Sequence, residues 1–233
     1  MNNGISKIDN TNKIEKVLSS HKFWIYLTND EKDKMIAGSK CIFYKKNEMI
    51  HSASEKCQGI IFINKGELRT YILSEEGRDI TLYRMYKGET CILSASCVLE
   101  AISFDVFINA EENSEVILTD ALTFRSISEN NIYLRCFAYE KTTERFSDVM
   151  WTMQQILFMG IDKRLAIYLW DMQIRTGSLT IKTTQEKIAS SIGSVREVVS
   201  RMLKYFSQEG IVKIFRGGVE ILDKQALKKI AFS

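Results

Sequence analysis

TTQEKIASSIGSVREVVSRML, residues Thr183–Leu203, decides how this chain is read. Thr183 with Glu186 has the Thr-x-x-Glu form of a capping box, which satisfies free backbone N–H groups and starts a helix. Ile188, Ala189 and Ile192 give that helix one apolar face. Gly193 supplies a sharp turn, and Ser194 with Glu197 forms a second box that opens a second helix at once. There, Val195, Val198, Val199, Met202 and Phe206 make an apolar stripe at helical spacing. Arg196, Glu197, Ser200, Arg201 and Lys204 share the opposite face. The pattern predicts a helix-turn-helix whose second helix presents Arg196 and Glu197 near its N-terminal end, where a recognition helix meets base edges. An arginine can bridge guanine O6 and N7, and a glutamate can accept from cytosine N4.

Downstream, IVKIF and VEIL flank Arg216-Gly217-Gly218, the pattern of a hairpin and hence of a wing, with Lys213 and Arg216 placed to touch phosphate. Upstream, DKRLAIYLWDMQIR is expected as a supporting helix, preceded by a hinge at Met159, Gly160, Ile161 and Asp162, with Asp162 as a candidate cap. Before the hinge, Tyr139, Thr143, Phe146, Met150, Met153 and Leu157 are spaced 4,3,4,3,4, the seam of a coiled coil. A helix near 30 residues is long against a globular mean of about 11–12, which favours a dimer seam over a helix buried inside a monomer.

From about Cys41 the texture is β: CIFYKK, GIIFINK, ELRTYIL, DITLYRM, FDVFINA, EVILTDA and LTFRSI, separated by turn-forming residues. Many short strands at near-regular spacing predict a barrel or double-sheet roll. TYILSEEGRDITLYRM is the clearest hairpin, with Gly77 at its turn. The N-terminal residues Ile14, Val17, Leu18, Phe23 and Trp24 are expected to cap the roll. The fold class is therefore α+β: a β-roll with N-terminal helices at 1–128, a dimerisation helix at 129–159 and a winged helix-turn-helix at 160–233.

Composition agrees with a soluble globular protein and supplies an asymmetry. Residues 160–233 hold 13 Lys/Arg and 7 Asp/Glu, a balance of +6, so the first 159 residues, with 19 and 22, carry −3 of the net +3. Such polarity fits a DNA-binding end joined to a non-binding one. No apolar run approaches the ~18 residues of a spanning helix, and the start lacks the apolar core of a signal peptide, so a cytoplasmic protein with no membrane partner is expected. Five cysteines at scattered spacings suit a reducing compartment and imply no disulfide framework. Two histidines, His21 and His51, give neither a haem signature nor the clustered ligands of a metal-dependent cupin enzyme. No metal site and no enzyme activity are expected.

The order of parts, with the motif I-A-x-x-I-G-S-V-R-E-V-V-S-R-M-L, resembles the Crp/Fnr family of bacterial transcription regulators over nearly the whole chain. The resemblance implies a homodimer that binds a palindromic operator in double-stranded DNA, with RNA polymerase as a further partner. It also implies base contacts by Arg196, Glu197 and Arg201, and backbone contacts at Thr184 and Ser194, beside the polar Ser200 and Lys204. In cyclic-AMP-binding members a Gly-Glu pair is followed by Arg-Ser, which holds the cyclic phosphate. Gly88-Glu89 matches the first pair, but Phe104-Asp105 stands at the second, and a carboxylate there repels phosphate. The positions that would bond the purine fall near Val149 and Met150, both apolar. Cyclic AMP is thus disfavoured and the effector is an unidentified small molecule, in a pocket expected around Gly88, Glu89, Cys91, Cys97, Phe104, Asp105, Phe146, Val149 and Met150. Cys91 and Cys97 allow a thiol switch, against the alternative that they are small buried hydrophobes. A second alternative is a small-molecule or redox sensor, or interaction module, whose helix-turn-helix no longer reads DNA.

Overall fold

A computed structural model describes residues 2–52, 59–92 and 106–232, with side chains from residue 10 onward. The chain opens with helix α1 (Asn2–Leu18), a 3-10 turn (Lys22–Tyr26) and α2 (Asn29–Ala37). Thr28 starts α2 with a complete capping box, accepting from the Glu31 N–H while the Glu31 carboxylate accepts from the Thr28 N–H. Among the described residues eight strands follow: β1 (Ser39–Tyr44), β2 (Met49–His51), β3 (Ile60–Lys65), β4 (Glu67–Leu73), β5 (Asp79–Tyr86), β6 (Thr90–Cys91), β7 (Phe107–Ala110) and β8 (Ser114–Thr119). They form two four-stranded sheets, ordered β1-β8-β3-β6 and β2-β7-β4-β5. The β4–β5 hairpin is the one legible in the sequence. Its turn closes through Ser74 N–H to the Arg78 carbonyl and through Gly77, whose φ of +78 a side chain would strain.

One expected strand is a helix. LTFRSI lies in α3 (Ala121–Ser128), because Asp120 accepts from the Thr123 N–H as its cap and Phe124 and Ile127, three apart, are buried together. With Leu18, Phe23, Met35, Phe62, Ile117, Leu134 and Phe137 they form the core of the first unit. The long helix α4 runs Ile132–Phe158, 27 residues.

The C-terminal elements are α5 (Ile161–Thr176), β9 (Thr180–Lys182), α6 (Gln185–Ser191), α7 (Arg196–Gln208), β10 (Val212–Phe215), β11 (Gly218–Ile221) and α8 (Lys224–Phe232). The wing is a three-stranded sheet ordered β10-β11-β9. Its core gathers Leu165, Leu169, Ile188, Val199, Leu203, Phe206, Val212 and Leu227. Truncating a fully buried side chain such as Phe206 to Ala would cost about 3–5 kcal/mol.

Contacts divide the chain into one unit of Met1–Ile72 with Tyr83–Asp148 and another of Leu73–Leu82 with Val149–Ser233. The second unit thus includes the last ten residues of α4. The expected hinge Met159–Asp162 lies inside it, with Met159 and Ile161 packed on its core. Gly160, in extended backbone, is the N-cap of α5, whereas Asp162 sits in the first turn and does not cap.

Candidate nucleic-acid interface and effector face

The helix-turn-helix forms with different caps from those read in the sequence. Thr184, not Thr183, caps α6, because its hydroxyl accepts from the Lys187 N–H at 3.2 Å. Thr183 is drawn into the wing instead, where its N–H donates to the Gly217 carbonyl. The Ser194–Glu197 box does not form. Val195 is the N-cap of α7, with no side-chain bond, and Ser194 ties back through its N–H to the Ala189 carbonyl at 2.9 Å. The apolar stripe shifts accordingly: Val199, Leu203 and Phe206 are buried, while Val195 is exposed.

The turn is locked by residues that sequence periodicity missed. Gly193 takes φ +61, and a Cβ there would stand 2.8 Å from the Ile156 side chain. Arg164 of α5 donates Nη1 to the carbonyls of Ile192 at 2.6 Å and Gly193 at 3.2 Å, which closes the C-terminal end of α6 with a cation. Desolvation holds the Arg164 guanidinium below its usual range. These contacts fix the angle at which α7 leaves the turn.

On the outer face of α7 Arg196, Glu197, Arg201 and Lys204 are exposed and Ser200 is half-buried. Lys213 and Arg216 are exposed on the wing. A cleft of about 220 Å³ is lined by Thr184, Glu186, Arg196, Phe215 and Gly217, so the cap of α6, the start of α7 and the wing turn meet on one surface. Ser194 is half-buried at the turn. This surface joins cations to a helix N-terminus, the chemistry that phosphate and base edges require.

The first unit holds a charge cluster around Glu89. Gly88 takes a positive φ, and the Glu89 carboxylate accepts from the Tyr86 N–H at 2.8 Å, closing the β5–β6 turn. Arg145 of α4, 6% exposed, approaches Glu89 at 3.9 Å and pairs with Asp148 at 2.9 Å. Its guanidinium stands over the Tyr83 ring at 5.0 Å, and its Nε has no partner among the described residues. Burial pushes both the Glu89 and the Asp148 carboxyls up, with Arg145 opposing in each case.

Cys91 is fully buried in β6, opposite Ile61 of β3. Phe146 is 64% exposed and faces solvent. Val149 and Met150 belong to the second unit, half-buried and exposed respectively. Cys97, Phe104 and Asp105 lie outside the described residues. All six seam residues, Tyr139, Thr143, Phe146, Met150, Met153 and Leu157, are exposed along α4. Among the described residues no group of three or more His, Cys, Asp or Glu could hold a metal, and no helix is long and apolar enough to cross a membrane.

Two family models match the chain, a cyclic nucleotide-binding domain over residues 41–131 and a Crp-like helix-turn-helix domain over residues 163–230. The cAMP-activated global transcriptional regulator Vfr of Pseudomonas aeruginosa is 22% identical over 192 residues, 78% of this chain and 89% of that protein. FixK2 of Bradyrhizobium japonicum shares the fold, with a TM-score of 0.68 at 17% identity over 84% of this chain and 98% of that one. A Crp/Fnr-family protein from Eubacterium rectale is 38% identical, with a TM-score of 0.88, covering 92% of this chain and all of that one. With a nucleotide-binding-type roll, a long helix and a winged helix-turn-helix in that order, the chain belongs to the Crp/Fnr family of DNA-binding transcription regulators.

Proposed function

We propose that the chain acts as a homodimer that binds a palindromic operator and is controlled by a small-molecule effector other than a cyclic nucleotide. The observation that carries the DNA reading is the single surface shared by Thr184, Arg196 and the wing turn, backed by a turn that Arg164 holds fixed. Arg196, Glu197 and Arg201 read bases. Thr184, Ser194, Ser200, Lys204, Lys213 and Arg216 hold the backbone. Dimerisation through Tyr139, Thr143, Phe146, Met150, Met153 and Leu157 would cover six side chains that a lone chain leaves in water. Two-fold symmetry then sets half-sites about 34–36 Å apart. RNA polymerase is the partner that such a bound dimer would influence.

The effector reading rests on Arg145. It is the guanidinium beside Glu89, and to receive a cyclic phosphate it would have to leave Asp148 and Glu89. Phe104-Asp105, at the place of the family's phosphate-holding pair, adds a carboxylate, and Val149 and Met150 offer the purine no hydrogen bond. The change in orientation that effector binding would favour is assigned to Met159–Asp162, where it would have to loosen Met159 and Ile161 from the core on which they pack.

Selection from random DNA by the full-length protein tests the main reading. A two-fold symmetric consensus supports it; no enrichment favours a module that has lost DNA reading. Sedimentation of Met150→Glu should give monomers, and an unchanged dimer would move the interface elsewhere. Calorimetry with cyclic AMP should show no heat of binding at about 0.1 mM, about a hundred times a micromolar Kd. Binding accompanied by tighter operator affinity would overturn the effector assignment.

A further inference from the structure

Arg196, assigned above to base reading, is not free on the surface of the chain. Its Nη1 lies 2.9 Å from Oε1 of Glu186, in the first turn of α6. Both side chains are more than half exposed, 62% and 57%, so burial does not force them together. An ion pair so open to water contributes little to folding. Its position is more telling than its strength. Glu186 and Arg196 form part of the same small cleft as Thr184, with Phe215 and Gly217 of the wing on its wall. That cleft belongs to the surface from which phosphates are contacted, where a carboxylate is repelled by every duplex.

We propose that Glu186 is a specificity-determining residue: it holds the Arg196 guanidinium by one nitrogen, orienting the rest of the fork toward a base, and it repels duplexes that lack the base Arg196 reads. Arginine has five N–H donors in a rigid plane. A tether at Nη1 leaves Nη2 and Nε to donate, enough for a bidentate contact with guanine O6 and N7. A cognate duplex gains that preoriented contact, which offsets the repulsion. A non-cognate duplex meets the carboxylate alone, and Arg196, already paired, is less available to a phosphate. One residue thereby lowers indiscriminate affinity and raises discrimination. The Glu186 carboxyl lies below the usual carboxylate range, chiefly through its own backbone N–H and also through Arg196, so it is charged at neutral pH. The plainer role is that of an acid complementing the N-terminus of α6, which would act on stability alone.

The inference rests on the assignment of Arg196 to base reading, and one experiment separates the two. Band-shift titrations use full-length protein, the duplex enriched from random DNA and a scrambled duplex. Glu186→Gln, which keeps the shape and removes the charge, should bind scrambled DNA about three-fold or more tighter at about 0.1 M salt. Its preference for the enriched duplex should fall about five- to ten-fold. Glu186→Asp, charged but too short to reach, should keep weak scrambled binding yet still lose preference. In an Arg196→Lys background, Glu186→Gln should no longer change the preference, because the oriented fork is already gone. A Glu186→Gln protein with a lowered Tm and an unchanged preference would overturn the inference and leave only the helix-terminus role. If Arg196→Ala leaves the preference unchanged, the base-reading assignment fails and the inference fails with it. If Arg196→Ala abolishes the preference while Glu186→Gln does not alter it, the inference alone fails.

Discussion

Arg145 and Arg164 belong to different units and face opposite kinds of partner. Arg164 donates to the backbone carbonyls of Ile192 and Gly193, groups that keep their charge distribution at any pH a cell experiences. Arg145 faces the carboxylates of Asp148 and Glu89, which burial has moved toward the protonated form. A cation on carbonyls fixes a geometry, whereas a cation on shifted carboxylates holds an arrangement that added charge can change. The reading head is therefore built to be constant, and the Glu89 region to be adjustable.

The sharpest way to break this contrast is Arg164→Ala. It removes charge-assisted bonds from two carbonyls at once and should cost about 3 kcal/mol in denaturant unfolding, with loss of operator binding. The loss should be the same near pH 6 and pH 8. A strongly pH-dependent loss would mean that Arg164 answers to a titrating group instead.

His21 should give the next largest effect, confined to the first unit. It lies 9% exposed among Phe23, Phe62 and Phe137, and its pKa is lowered to about 4, by burial first and then by Lys141. Above its ordinary value of 6.5 it is neutral whether the chain is folded or not. As pH falls from there toward 4, the unfolded chain gains a proton that the folded chain resists, so stability is lost. The loss between pH 7.5 and pH 5 should be about 2 kcal/mol in urea titrations and should vanish in His21→Leu. An unchanged slope in that variant would remove His21 from the account.

Arg145→Met should show a smaller effect of the opposite sign. Glu89 and Asp148 are both raised, so the folded chain takes up their protons more readily than the unfolded one. Their contribution is present below the unfolded carboxylate values and is lost as pH rises through the folded ones. Without Arg145 the upward shift grows, and the variant should gain about 1 kcal/mol relative to the parent on acidification through the carboxylate range. Identical pH profiles would show that the cluster carries no coupled charge. The smallest expected change is in Lys213→Ala, which should lower the salt dependence of DNA binding by about 0.9 in the log–log slope while leaving sequence preference intact.

The same two arginines mark how far the sequence is legible. The β texture, the long helix, the turn at Gly193 and the wing around Arg216-Gly217 were readable because each rests on local period or on one special backbone position. LTFRSI misled because a short apolar run has no clear period; the signal was Asp120, a cap two residues before it. Thr183 and Thr184 are adjacent, and only the wing's demand for the Thr183 N–H decides which of them caps α6. Arg145 meets Glu89 across 56 residues, and Arg164 meets Ile192 across 28, separations that no local pattern encodes. Even so, Arg145 falls seven residues beyond buried Ala138, on the stripe of α4 that faces the core. A charged residue on such a stripe is a sign worth following.

A fixed head that reads sequence through Arg196 should lose that reading with the guanidinium. The most direct test compares the parent and Arg196→Ala on the enriched duplex and on a scrambled one at equal salt. Arg196→Ala should lower affinity for the enriched duplex by about ten-fold or more and leave scrambled binding nearly unchanged. Equal losses on both duplexes would contradict it and reduce Arg196 to one more backbone cation.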